Sequence, residues 1–130
     1  MFDYALSVKQ DGFGPLPPLE ESYPTMTVVQ GDPQQSGRVD LASEENGIFA
    51  GVWECTAGSF DIVYSFNELA TILAGHIIVT DADGARHEFK AGDSFLAVQG
   101  ERVNWEIVED MRKSYFLWID PDNAVPAVRA

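Results

Sequence analysis

From Gly47 onward the chain is cut into short runs rich in β-branched and aromatic residues, separated about every ten residues by Gly, Asp or Asn. This cadence constrains the fold most. Runs this short are the natural length of strands in an antiparallel sandwich or barrel. The runs expected as strands are Ile48 to Cys55, Phe60 to Phe66, Leu69 to Thr80, Ala85 to Phe89, Ser94 to Val98, Val103 to Val108 and Ser114 to Ile119. Phe60, Ile62, Tyr64 and Phe66 alternate with Asp61, Val63 and Ser65, a period of two that only a strand presents on one face. The segment ELATILAG alone would suit a helical turn. Its continuation through IIVT into Asp81-Ala82-Asp83-Gly84 makes a hairpin the better reading. Gly75 should then mark a bend or bulge in one long strand, and Ala91-Gly92-Asp93 a tight turn.

Residues 1–46 follow another pattern. Gly12, Gly14, Pro15, Pro17, Pro18, Pro24, Gly31, Pro33 and Gly37 disfavour helices and central strands, since each proline removes a backbone donor and fixes a dihedral. An extended N-terminal arm is expected, with one short edge strand, Thr25 to Gln30. It either packs on its own barrel or on a sister subunit, or serves as a proline-rich ligand for an SH3-type module. The tail holds two prolines and should be irregular. The chain thus divides into an arm (1–46), a barrel (47–120) and a tail (121–130). Its 130 residues suffice for one core burying roughly two-thirds of the unfolded surface.

Charge narrows the partners. Twenty-one acidic against eight basic residues give a net charge of -13, which repels phosphate backbones and anionic lipid surfaces, so neither nucleic acid nor membrane is an expected partner. The opening MFDYALSVKQ lacks the basic start and apolar run of a signal peptide, and no run of 18 apolar residues occurs, so a soluble cytoplasmic protein is expected. The single cysteine, Cys55, sits in an apolar run with no His or Lys beside it and reads as a buried structural thiol.

Five fragments in order, Gly51 to Gly58 (GVWECTAG), Glu68 to Gly75, Val79 to Gly84 (VTDADG), Ala91 to Phe95 (AGDSF) and Asn104-Trp105-Glu106, resemble the single-domain cupins related to (S)-ureidoglycine aminohydrolase. The resemblance runs from about Gly31 to Ile119. It implies an all-β, double-stranded β-helix (jelly-roll) cupin barrel whose pocket commonly holds one divalent metal, and a homodimer. Glu68 followed by six residues and Gly75 fits the second half of the first cupin motif. The histidine positions of that motif hold Ile62 and Tyr64, or Asp61 and Val63 in the other spacing. The ligand position of the second motif holds Val103.

Only Glu68 remains of that ligand set, so no metal cofactor is expected: divalent transition ions are usually gripped by three or four protein donors. Glu68 with Asp61 and water is the remaining option for a weakly held hard cation, although Asp61 should face away from Tyr64. The histidines, His76 and His87, lie far apart without a ligand spacing and read as surface or edge residues.

Inward positions are expected at Ile62, Tyr64, Glu68, Ala70, Val103 and Trp105, forming a small aromatic pocket with one acid. Ile62, Tyr64, Glu68, Val103 and Trp105 are the candidate ligand-binding residues, and Glu68 is the candidate catalytic one. Three roles stay open for Glu68: a proton shuttle tuned by burial, a counter-ion for a ligand amine beside the faces of Tyr64 and Trp105, or a structural group bonded to a tyrosine or backbone amide. Trp53 and Trp118 read as core or interface aromatics. Two functions follow: a cupin with a degenerate metal site that binds a small polar metabolite, accessory to ureide or amino-acid metabolism, or an aminohydrolase-like enzyme acting on a small amine- or ureide-bearing acid. A structural or regulatory dimer with a filled interior is the third possibility.

Overall fold

Alternation along the β-rich half has its expected consequence in the computed structural model, which describes residues 1–128. Nine strands pair there into one curled antiparallel sheet: β1 (Gly14–Pro15), β2 (Met26–Gln30), β3 (Gln35–Ser43), β4 (Ile48–Cys55), β5 (Gly58–Val63), β6 (Asn67–Asp81), β7 (Arg86–Lys90), β8 (Ser94–Ala97) and β9 (Arg102–Trp118). This is the expected cupin barrel.

Two long strands make the curl. The first half of β6 pairs with β8 and with the second half of β9, whereas its second half pairs with β7 and with the first half of β9. On its other side β9 pairs with β5 through its first half and with β4 through its second. Both strands therefore pass from one sheet into the other. One sheet runs β1-β3-β4-β9-β6-β8, the facing one β2-β5-β9-β6-β7.

The crossing needs a sharp bend, and the β6–β9 register slips three times between Ile72 and Ile77. Gly75, at the centre, has φ +89°, and a Cβ there would lie 2.4 Å from the Asp110 carbonyl oxygen. Only glycine fits both the dihedral and the approach, so the expected bend falls where the sequence places it.

Side chains of the two inner faces fill the core: Trp53, Cys55, Ile72 and Met111 from one sheet, and Met26, Phe60, Ile62, Ile77, Val79, Trp105 and Ile107 from the other. The Ile, Val, Phe and Met side chains among them each contribute about 1.5–3 kcal/mol through burial.

Three expectations need correction. The last two expected strands are one, since Glu109 to Lys113 continue the ladder. Residues 1–46 hold more than one edge strand, because β3 pairs with β4 along its whole length and belongs to the barrel. A short helix, α1 (Leu19–Ser22), also forms there in spite of the prolines around it. Pro18 stands just before its first residue, where a missing N–H costs nothing. In the tail, Pro121–Asn123 make a single 3-10 turn.

The arm packs against its own barrel. Arg38 of β3 donates to Asp40, to the Gln10 side chain (3.0 Å) and to the Asp11 carbonyl (2.7 Å), and the Tyr4 hydroxyl donates to Asp40. Gln35 holds α1 down: its amide donates to the Pro17 carbonyl (2.7 Å) and the Ser22 hydroxyl (2.9 Å), while its oxygen accepts from the Trp53 indole (2.8 Å).

Candidate functional site

Inside the barrel lies a cavity of about 230 Å³. Its walls come from β4 (Val52, Trp53), β5 and the turn after it (Phe60, Ile62, Tyr64, Phe66), β9 (Trp105, Tyr115, Leu117) and the arm (Leu16, Tyr23, Met26). The arm therefore closes one side of the cavity.

Glu68 enters from the first half of β6 and is 2% exposed. It is not alone. Lys113, projecting inward from β9, places its ammonium 2.7 Å from Glu68 Oε2, and that side chain is 9% exposed. The Tyr64 hydroxyl donates to Glu68 Oε1 at 3.4 Å. Both carboxylate oxygens are thus engaged, which lets the charge remain in an apolar interior.

The Lys113 ammonium also sits among aromatic faces, 4.7 Å from the ring centroid of Trp53, 4.9 Å from Trp105 and 5.9 Å from Phe95. Those are cation–π distances. Trp105 is held in turn by Phe60, stacked at 5.6 Å, and by Phe95 edge-on at 5.7 Å.

Tyrosines surround the pair. Burial, followed by the nearby Glu68 carboxylate, raises the Tyr64 hydroxyl well above its ordinary pKa, and the same two causes raise that of Tyr23. Burial, with Asp40 and Glu68, raises that of Tyr115. All three remain neutral O–H donors throughout the neutral range. The buried Trp105 indole N–H makes no well-aligned hydrogen bond among the described residues, but it lies beside the Tyr64 hydroxyl and favours that group's ionised form.

Ile62, Tyr64, Glu68 and Trp105 line this one cavity. Val103 does not join them. It lines a second cavity of about 250 Å³ on the far side of Tyr64 and Trp105, together with Asp81, His87, Phe89, Phe95 and Glu101. Ala70 is buried but does not line the Glu68 cavity. Asp61 is exposed and accepts from the Asn104 amide at 2.8 Å, so it cannot share a cation with Glu68. The pocket holds a base-bearing side chain as well as an acid, and Lys113 is the functional candidate that sequence reasoning missed.

Neither histidine reaches this cavity. His76 lies 2.9 Å from Glu88, and His87 lies 3.1 Å from Asp81. Cys55 is buried, and desolvation pushes its thiol up to about 12, as fits an inert core group.

The donor set does not fit a transition ion. Three of the four positions at which the resemblance puts ligands hold Ile62, Tyr64 and Val103, and the fourth, Glu68, is already paired with an ammonium. No group of three His, Cys, Asp or Glu side chains with metal-binding geometry occurs among the described residues.

The family model of the EutQ-like cupin domain matches residues 42–115. This chain belongs to that family. No curated protein matches it. Among solved structures, the cupin is similar to a protein of unknown function from Pseudomonas syringae pv. tomato, with a TM-score of 0.72 and 19% identity over 82% of this chain and 44% of that one. It therefore spans less than half of that relative's length. It is also similar to the EutQ protein of Clostridium difficile (TM-score 0.58, 16% identity, 67% of this chain and 69% of that one). A putative ethanolamine utilization protein of Salmonella typhimurium gives a TM-score of 0.57 at 20% identity over 68% and 71% of the two chains. At these identities the likeness is one of fold. No helix among the described residues of the cupin is long and apolar enough to cross a membrane.

Proposed function

We propose that this cupin binds a small polar metabolite in the cavity around Glu68 and Lys113, as a cupin with a degenerate metal site that is accessory to ureide or amino-acid metabolism. One observation carries the reading: a cavity of about 230 Å³ whose aromatic and aliphatic walls enclose a buried ion pair. A merely structural interior would be filled, because a void forfeits dispersion contacts and a buried pair contributes less to stability than well-packed apolar side chains. Apolar walls with a few convergent polar groups are the ordinary make-up of a small-molecule site.

A thermal-shift screen over ureido acids, amino acids and small amines tests this reading. Ethanolamine belongs in the panel, since a structural neighbour is named for its utilization. A ligand that raises the melting temperature of the native chain, and not that of a Trp105→Ala or Tyr64→Ala variant, supports it. A flat response across the panel argues for a closed structural interior. Elemental analysis of protein purified without chelators accompanies the screen, and one equivalent of manganese, zinc or iron would count against the degenerate-site reading.

A second reading has its own support. Glu68 has a proton-bearing neighbour on each oxygen, Lys113 and Tyr64. Such a carboxylate can move a proton, as in an enzyme resembling ureidoglycine aminohydrolase that releases ammonia from an amine- or ureide-bearing acid, with Glu68 central. Ammonia release by the native chain but not by Glu68→Gln is the expected result, and equal release by both would remove Glu68 from the mechanism.

We place the protein in the cytoplasm on the strength of its acidic charge and unpaired buried thiol, and read it as a homodimer. The outer face of the β4-β9-β6-β8 sheet supports the dimer, since Leu69, Leu96, Phe116 and Trp118 are exposed on adjacent strands.

A further inference from the structure

The hydrogen-bonding capacity left over in the Glu68 cavity is weighted towards donors. Glu68 is the acidic side chain in the lining, and both its oxygens are engaged, one by Lys113 at 2.7 Å and one by Tyr64 at 3.4 Å. The donors are not exhausted. An ammonium has three N–H groups, and among the described residues Glu68 is the one carboxylate within ion-pair distance of Lys113. Tyr23 and Tyr115 also line the cavity, and the hydroxyl of each can donate. Arg38 also reaches the lining, but its guanidinium is taken up by Asp40, Gln10 and the Asp11 carbonyl.

A cavity that offers donors needs a guest that accepts. A cationic guest would meet the opposite of what it requires, because the faces of Trp53 and Trp105, the natural cradle for a ligand ammonium, already hold the ammonium of Lys113. The chain itself supplies the cation that the sequence suggested a ligand would bring. A doubly charged phosphate is poorly matched as well, since both cations in the lining among the described residues, Lys113 and Arg38, already have a carboxylate partner, Glu68 and Asp40. The remaining walls, Val52, Phe60, Ile62, Phe66 and Leu117, are apolar and leave room for a short hydrocarbon body.

We infer that the ligand is a small monocarboxylate with a short apolar body, its carboxylate seated on Lys113 with the Tyr23 and Tyr115 hydroxyls as further donors. The inference rests on the reading of this cavity as a binding site and names its ligand class. The ligand carboxylate competes with Glu68 for the same ammonium. Neutralising Glu68 therefore strengthens binding, whereas for a cationic ligand the same change weakens it.

Calorimetric titration of the full chain with butyrate, butyramide and butylamine, one skeleton with three head groups, tests the inference. Butyrate is expected to bind at least about tenfold more tightly than butyramide, the margin of a charge-assisted over a neutral hydrogen bond, and butylamine not at all. In Glu68→Gln butyrate should bind about tenfold more tightly still, and in Tyr115→Phe about fivefold more weakly, with thermal midpoints showing that both variants fold. Lys113→Met should abolish butyrate binding, and the other two variants keep the test decisive if it does not fold. Butylamine or butyramide binding more tightly than butyrate, or butyrate weakened by Glu68→Gln, overturns the carboxylate assignment while the binding-site reading stands. If the thermal-shift panel finds a ligand but butyrate does not bind at millimolar concentration, the assignment again fails alone. If no compound in either experiment binds, both fail together.

Discussion

Glu68 and Lys113 hold each other in a place neither would occupy alone. Removing one partner of a buried pair leaves an uncompensated charge and costs about 3–5 kcal/mol. Lys113→Met is expected to lower the unfolding free energy in urea by that order, and the double change Glu68→Leu with Lys113→Met to recover most of the loss. A double-mutant cycle measures the coupling, and purely additive losses would show that the pair is not one unit. The tyrosines give a second residue-level prediction. All four are raised, Tyr4 to about 12, each chiefly by burial. A raised folded-state pKa contributes stability that is complete below the unfolded value near 10 and is lost as pH climbs through the folded one. Stability should therefore fall between about pH 10 and 12, and tyrosinate absorbance should appear together with unfolding. A tyrosine that ionises near pH 10 in the folded chain contradicts this. The sequence made Glu68, Tyr64 and Trp105 legible because alternation and motif spacing fix which way each points. It concealed Lys113, whose neighbours Asp110, Arg112 and Ser114 give the run the look of a solvated turn.

The bend shared by β6 and β9 decides where these side chains converge. Gly75→Ala must bring a Cβ to 2.4 Å from the Asp110 carbonyl oxygen at a φ of +89°, whereas Gly84, at +85°, faces open space. Gly84→Ala is expected to cost about 1–2 kcal/mol from the dihedral alone, and Gly75→Ala clearly more, with hydrogen exchange in β6 and β9 accelerated around the bend. Equal costs at the two sites would show that the close approach is not limiting. Gln35 governs the cavity wall supplied by the arm. Gln35→Leu frees α1 and orphans the Trp53 indole N–H, at a cost of about 1–3 kcal/mol, and should raise proteolytic cleavage near Leu19 to Ser22. Unchanged cleavage would show that other contacts hold α1. Strand β3 escaped sequence reading because QSGRVDLAS carries little apolar alternation. Its place is set by hydrogen bonds to β4 and by the Gly51 backbone, where a Cβ would lie 2.0 Å from the Arg38 carbonyl oxygen. A local reading splits β9 at Glu109-Asp110 because adjacent charges look like a turn, whereas both are exposed residues within one continuous strand.

At the scale of the whole molecule, the cupin architecture was readable from strand cadence and five short fragments. The closure of the cavity by the arm was not, since it depends on contacts between segments distant in sequence. Leu69, Leu96, Phe116 and Trp118 form an exposed apolar row on an otherwise strongly acidic chain, and the proposed dimer would use it. On the proposed dimer, light scattering should give a dimer mass for the native chain and the monomer mass for a Leu69→Glu, Phe116→Glu double variant. A dimer mass retained by the variant would move the interface elsewhere. The central claim, that the cavity around Glu68 and Lys113 holds a small molecule, is tested most directly by a high-resolution crystal structure of protein purified without added ligand or chelator. The account predicts density for a small organic acid within hydrogen-bonding distance of Lys113 Nζ and the Tyr115 hydroxyl. Glu68 turned outward into solvent, or a chelated metal ion beside it, would contradict that claim.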